Sequence, residues 1–198
     1  MIKLNQSLVG IVDISFKIVF SGAIILSVMC FQFGEEILAW RYEDISSQSS
    51  ALFSVLMFCF VCVSTTYIFG TLLTAYGDLK TLNILALSAV VINICLNLLF
   101  IPKWQALGSA IASLITQIIV SVSQIIICKN KFKFKTSFAT IAQFTGFVFG
   151  VFLIAYCTNL YFLNWTVALI FFVLLSFTFA LSIRMIPMRR MIQVIKYE

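Results

Sequence analysis

The side chains best placed to do chemistry in this sequence are neutral ones. Ser113, Gln117, Ser121 and Gln124 fall at i, i+4, i+8 and i+11, one face of a helix, with Thr116 and Ser123 flanking it. Asn93 and Asn97 stand four apart and share a face in the same way. Amides and hydroxyls of this kind donate and accept hydrogen bonds but move no proton at neutral pH. The sequence contains no histidine, which removes the commonest general base and metal ligand. No nucleophile stands beside a base, no carboxylates pair on one helix, and no glycine-rich loop is built to cradle phosphate. An enzyme is not expected, and no cofactor or metal is implied.

Two further groups look chemical and are read as structural. Cys59 and Cys62 form a C-x-x-C, but they lie in an apolar run without a nearby charge, a poor setting for a thiolate. All six cysteines, Cys30, Cys59, Cys62, Cys95, Cys128 and Cys157, fall inside or at the edge of apolar runs. They read as small packing residues rather than a disulfide framework. Glu35, Glu36, Glu43 and Asp44 cluster in a polar gap and read as a solvated loop, with cation binding the less favoured role.

These residues are positioned by membrane-spanning helices. The chain is 62% hydrophobic and 10% charged, with a mean hydropathy of +1.11; a soluble domain carries about 25% charged residues. Apolar runs of about 20 residues are long enough to cross a bilayer. They cover 14–33, 51–71, 82–101, 107–128, 138–157 and 163–186. Pro102 and Pro187 fall just past the ends of two of them. The fold class is therefore all-α and polytopic, a single transmembrane domain over 1–198 with six spans. The N-terminus has no small-residue cleavage site behind a short apolar core, so no removable signal peptide is expected.

The net charge of +6 sits between the runs, which argues for a membrane and against nucleic acid. Lys3 and Lys17 precede the first span, with Lys80 between the second and third. Lys129, Lys131, Lys133 and Lys135 lie between the fourth and fifth. Arg184, Arg189, Arg190 and Lys196 lie at and beyond the end of the sixth. The alternate loops hold only Arg41 and Lys103 as basic residues, together with the acidic cluster. The positive-inside rule then places both termini in the cytoplasm, and Trp40, Trp104 and Trp165 fall at the opposite interface. The lysine run reads as an ordinary positive-inside loop, although it also suits anionic headgroups.

Polar groups inside the spans must avoid lipid, because an unpaired amide in hydrocarbon costs several kcal/mol. Asn93 and Asn97 are expected to hydrogen-bond between helices. The face bearing Gln117, Ser121 and Gln124 suits either such bonding or the lining of a wet cavity, and both roles stand open. Gly108 with Ala112, and Gly146 with Gly150, have the four-residue spacing that permits close helix approach.

From Gly70 the chain reads GTLLTAYGDLKTLNILALSAVVINICLNLLFIPKWQALGSAIASLITQ. Gly70, Leu73, Ala75, Gly77 and Lys80 form a helix end and turn. Asn93, Asn97, Ile101 and Pro102 follow on an asparagine-bearing helix, and Gly108, Ala110 and Ala112 open the next. This pattern resembles the C-terminal region of bacterial polysaccharide flippases of the O-antigen type, within the multidrug, oligosaccharidyl-lipid and polysaccharide exporter superfamily. It is densest over 70–117, with 70–128 the most flippase-like segment. Upstream, Phe33 to Glu36 resembles the F-G-x-E exit of a preceding helix. Ser109 departs from the small alanine or glycine common there.

The resemblance implies that the six spans match the ninth to fourteenth helices of such a transporter, so that a first lobe is missing. Alternating access needs one bundle to move against another. The chain is therefore expected to be a partial flippase: a gene fragment, a split reading frame, or a subunit that needs a partner. The complete transporter would move undecaprenyl-diphosphate-linked oligosaccharide across the bacterial cytoplasmic (inner) membrane for surface polysaccharide synthesis, driven by H+ or Na+. Its partners are then the lipid bilayer, the lipid-linked oligosaccharide and the missing lobe. Gln117, Ser121 and Gln124 are its neutral lumen candidates. Two alternatives stand beside this: a self-standing small membrane scaffold or dimerising protein, and a fragment of a multidrug exporter of the same superfamily.

Overall fold

The computed structural model describes residues 2–43, 46–132 and 138–185, with side chains from Gly10 onward. Asp44, Lys133, Lys135 and the stretch carrying Pro187, Arg189, Arg190 and Lys196 lie outside the described residues, as does the side chain of Lys3. Among the described residues every regular element is an α-helix: α1 (Ile2–Gln32), α2 (Gly34–Arg41), α3 (Ser47–Ala75), α4 (Leu79–Phe132), α5 (Phe138–Tyr161) and α6 (Trp165–Ser182). Five of them, all but α2, are long and apolar enough to cross a membrane. The protein is an all-α polytopic membrane protein.

The 54 residues of α4 would measure about 80 Å as a straight helix, far more than a hydrocarbon core of roughly 30 Å. The helix does not run straight. Gln105 adopts φ 50 and ψ −124, a sparsely populated conformation that costs on the order of 1–3 kcal/mol for a residue with a side chain. There the chain doubles back into two arms, 79–104 and 106–132. The reversal is visible in the hydrogen bond from Asn93 Nδ2 to Thr116 Oγ1, 3.4 Å long. Twenty-three residues of straight helix would hold those groups about 35 Å apart. Pro102 sits three residues ahead of the turn, inside the helical stretch. Gly108 sits three residues beyond it, where a Cβ would overlap the Phe100 carbonyl oxygen. Counting the arms separately gives six membrane-length segments.

The joint between α3 and α4 follows from five residues. Gly77 takes φ 83, which glycine reaches without steric cost. Its N–H donates to Thr74 O at 2.9 Å, and the N–H of Asp78 donates to Leu73 O at 3.0 Å. This is the Schellman pattern that satisfies orphan carbonyls at a helix end. Asp78 then serves as the N-cap of α4: its Oδ1 accepts from the Thr81 N–H at 3.3 Å and from the Thr81 hydroxyl at 2.8 Å. At the other end of α3, the Ser46 side chain accepts from the Ser49 N–H at 3.3 Å. These caps explain why α3 runs from Ser47 to Ala75 while its apolar core spans only 51–71. Capping chemistry adds a turn at each end that hydropathy does not register.

Two compact units divide the chain: residues up to Met29 with α5 and α6, and Cys30 onward through α4. In the first, α5 buries Phe147, Val151 and Ala155, while α6 buries Ala168, Phe172, Ser176 and Ala180. Both are stripes of four-residue spacing, the neighbour spacing of a helix surface. Phe16, Phe20 and Phe144 form an aromatic triangle with centroids 5.2–5.4 Å apart. Lys17 donates to Asp13 at 3.0 Å, one turn away. The helix α6 stops at Ser182, short of the 186 expected from hydropathy, because Arg184 turns at φ 60 and the Met185 N–H closes back on Ala180 O at 2.9 Å. Gln143 Nε2 donates to the Ile183 carbonyl at 2.7 Å, supplying a partner for that helix end.

In the second unit α3 and the second arm of α4 run parallel. Cys59 Sγ lies 4.0 Å from Ala110 O near one end, and Cys128 Sγ lies 3.7 Å from Phe69 O towards the other. The first arm covers the opposite side of the second, and most of its apolar residues, Leu87, Val90, Val91, Ile94 and Leu98 among them, face outward. The second arm is the more polar of the two because protein flanks it on both sides. The short α2 was not legible as an apolar run. It carries Glu35 and Glu36 in its first turn, where the helix dipole favours negative charge. Its Gly34 is buried against α3, with Ser50 Oγ 3.1 Å from where a Cβ would stand.

Candidate functional site

The polar face of the second arm of α4 gathers hydrogen-bonding side chains inside a span. Ser121 and Gln124 are both buried, and both face α3. Ser121 Oγ donates to Ile118 O at 3.1 Å. The Gln124 amide lies over Gly70: a Cβ there would stand 3.7 Å from its Oε1 and 3.8 Å from its Nε2. Gln117 shares this face one turn earlier and is half-buried.

The satisfaction of these groups is uneven. Gln124 Oε1 and Thr66 Oγ1 are buried without a hydrogen-bond partner. Thr65, Thr71 and Thr74 on the same helix each return their hydroxyl to the carbonyl four residues back. Thr66 does not, so α3 presents one uncommitted hydroxyl a turn before the glycine that faces Gln124. Thr66 carried no signal in the sequence, since only the rotamer distinguishes it from its neighbours.

Asn93 and Asn97 belong to a different seam, between the two arms. Asn97 Nδ2 donates to Asn93 Oδ1 at 2.8 Å and to Asn93 O at 2.9 Å. Asn93 donates onward to Thr116, and Thr116 Oγ1 donates to Ala112 O at 2.8 Å. The result is a chain of donors crossing the hairpin, of the kind worth roughly 0.6 kcal/mol per interhelical bond. Asn97 Oδ1 is left without a partner. The small residues also separate by role. Gly108 and Ala112 lie in this seam, both buried. On α5, Gly150 faces the Phe179 ring, whereas nothing lies within 4 Å of a Cβ at Gly146. Close approach along α5 therefore rests on Gly150.

At the end of the unit opposite the Gln105 turn, Asp78 binds Lys131 in an ion pair. The Lys131 ammonium also lies 4.7 Å from the Tyr76 ring centroid, and Tyr76 meets Phe132 edge-on at 5.1 Å. The Lys131 ammonium and the Thr81 hydroxyl, both bonded to the Asp78 carboxylate, hold its pKa below the ordinary carboxylate value. The cluster ties the start of α4 to its end. Its signal in the sequence is the run Gly77, Asp78 and Thr81, a C-cap followed by an N-cap and its N3 residue.

Chemically the polar face of the second arm from Ser113 to Gln124 offers neutral donors and acceptors in an apolar surrounding and no acid, base or cation. Cys30, Cys59 and Cys128 are buried, Cys62 and Cys157 half-buried, and all six cysteines are free thiols. Cys95 is exposed on the outward side of the first arm and packs less than a span cysteine was expected to. Among the described residues no three histidine, cysteine or carboxylate side chains are grouped to hold a metal ion. No protein family, curated protein or solved structure matches the chain.

Proposed function

We propose that the chain acts as the C-terminal helical region of a bacterial polysaccharide flippase of the O-antigen type. The complete transporter would move undecaprenyl-diphosphate-linked oligosaccharide across the cytoplasmic membrane. One observation carries the reading: the residues that bear the resemblance are those on which the α3–α4 region turns and closes. Gly77 makes the Schellman turn, Gly70 faces Gln124, Asn93 and Asn97 bridge the arms, and Gly108 meets the Phe100 carbonyl. A plain pair of apolar helices needs none of these residues at these positions.

In this reading Lys80, Lys129 and Lys131 mark the cytoplasmic end of the second unit, with Lys103 and Trp104 at the outer end. Both termini are then cytoplasmic. Of the lumen candidates, half-buried Gln117 can offer hydrogen bonds to a sugar hydroxyl or a neighbouring bundle, whereas Ser121 and Gln124 are buried against α3. No lysine or arginine stands near the middle of a predicted span, so contacts to the diphosphate fall to the first lobe. That lobe, supplied in cis or by a partner, provides the second bundle that alternating access requires.

The test is complementation of a flippase-null strain by this chain alone and by the chain fused to a first lobe. Surface polysaccharide is expected from the fusion only. Restoration by the chain alone would refute the need for a partner lobe, and failure of fusions carrying several related lobes, with normal membrane levels, would refute the flippase reading.

A further inference from the structure

At the outer end of the second unit, a cavity of about 370 Å³ opens between the first turn of α3 and the tip of the α4 hairpin. That volume falls within the range of small-ligand sites. Gln48 and Ser49 line one wall, and Lys103, Trp104 and Gln105 line the other, over a floor that includes Leu52. Gln48, Lys103 and Gln105 are exposed, and among the described residues none of the three has a hydrogen-bond or ion-pair partner. The Trp104 indole is half exposed, and its ring rests on Phe100 at a centroid distance of 5.4 Å.

The lining selects a class of ligand. It contains no carboxylate, which argues against a cation. Two carboxamides, the indole N–H and the mutually bonded hydroxyls of Ser46 and Ser49 offer donors and acceptors in several directions, as a ring of hydroxyl groups requires. The indole supplies an apolar face against which the C–H side of a sugar ring can lie. The single ammonium suits a hydroxyl, or the carboxylate of an acidic sugar. The hairpin tip is held in a costly conformation at Gln105, a residue that lines this cavity, where glycine would turn without strain.

We infer that this cavity is a saccharide-binding site, sized for one or two sugar rings, at the outer surface of the protein. The inference rests on the orientation given under the proposed function but needs no transport to hold. A chain that binds sugar but fails complementation even when fused to several first lobes refutes only the flippase reading.

The test uses the full chain in phosphatidylcholine nanodiscs, because glucoside and maltoside detergents carry the same chemistry as the ligand. Maltotriose, N,N′-diacetylchitobiose and glucuronic acid serve as probes, read by saturation-transfer NMR from protein aromatic protons to sugar protons. Transfer is expected for at least one probe, with affinity in the millimolar range. Trp104→Ala should weaken it about ten-fold, the loss of one aromatic contact. Gln105→Gly should weaken binding while raising the melting temperature, a combination that a merely structural role for Gln105 would not give. Absence of transfer with all three probes overturns the proposal, as does binding unchanged in Trp104→Ala. Displacement of the sugar by inorganic phosphate at equal concentration would also overturn it, marking an anion site built on Lys103.

Discussion

Gly108 and Gly146 are both glycines one helical turn from a second small residue, and they do opposite things. A methyl group at Gly108 would run into a backbone carbonyl of the other arm, which cannot rotate away. Gly108→Ala is expected to destabilise the protein by about 1–3 kcal/mol, the cost of overpacking a tight contact. A methyl group at Gly146 meets nothing within 4 Å, so Gly146→Ala should instead gain about 0.5–1 kcal/mol from helix propensity. Thermal unfolding of the two variants in one detergent checks the difference in sign. Equal shifts would mean that the arms do not meet at Gly108. The spacing that made both pairs visible in the sequence is identical. Only the neighbours distinguish them.

The joint between α3 and α4 shows how one short element gathers several functions. Asp78 completes the Schellman turn, caps α4 and pairs with Lys131. Its partners favour the charged form, so its pKa is lower in the folded than in the unfolded protein. A group depressed in this way adds stability above its unfolded pKa and loses it as pH falls through the folded one. The contribution should therefore be complete at neutral pH, begin to fade below about 3.9, and vanish below the lowered native value. Melting curves of the wild type and Asp78→Asn should lie apart at pH 7 and draw together as pH falls below about 3.9. A constant gap across that range would exclude the carboxylate as the source. The glycine was readable as a turn, and the capping aspartate and its threonine follow it as local signals. The pairing with Lys131 was not, because it joins residues 53 positions apart.

At the scale of the molecule, the charge distribution makes a claim about direction that labelling can check. In a cysteine-free chain expressed in intact bacterial spheroplasts, Trp104→Cys should react with a membrane-impermeant maleimide from outside. Lys129→Cys should react only after permeabilisation. The reverse pattern would invert the orientation and move the cavity beside Trp104 to the cytoplasmic side. Both variants lie in the second unit, one at the hairpin tip and the other near the far end of the second arm, which is about 40 Å long.

Membrane residence and the six apolar segments were set by the sequence itself, because burial in lipid depends on length and mean hydropathy, which are local sums over about 20 residues. The helix caps at Ser46 and Asp78 were equally local. Tertiary structure alone decided what the polar residues do. It put Gln124 over Gly70, linked Asn93 to Thr116, left Thr66 without its usual backbone bond, and folded a 54-residue helix at a strained glutamine. The physical reason is that periodicity fixes which face a side chain occupies. What that face meets depends on contacts between residues far apart in the chain, and no local sum contains them.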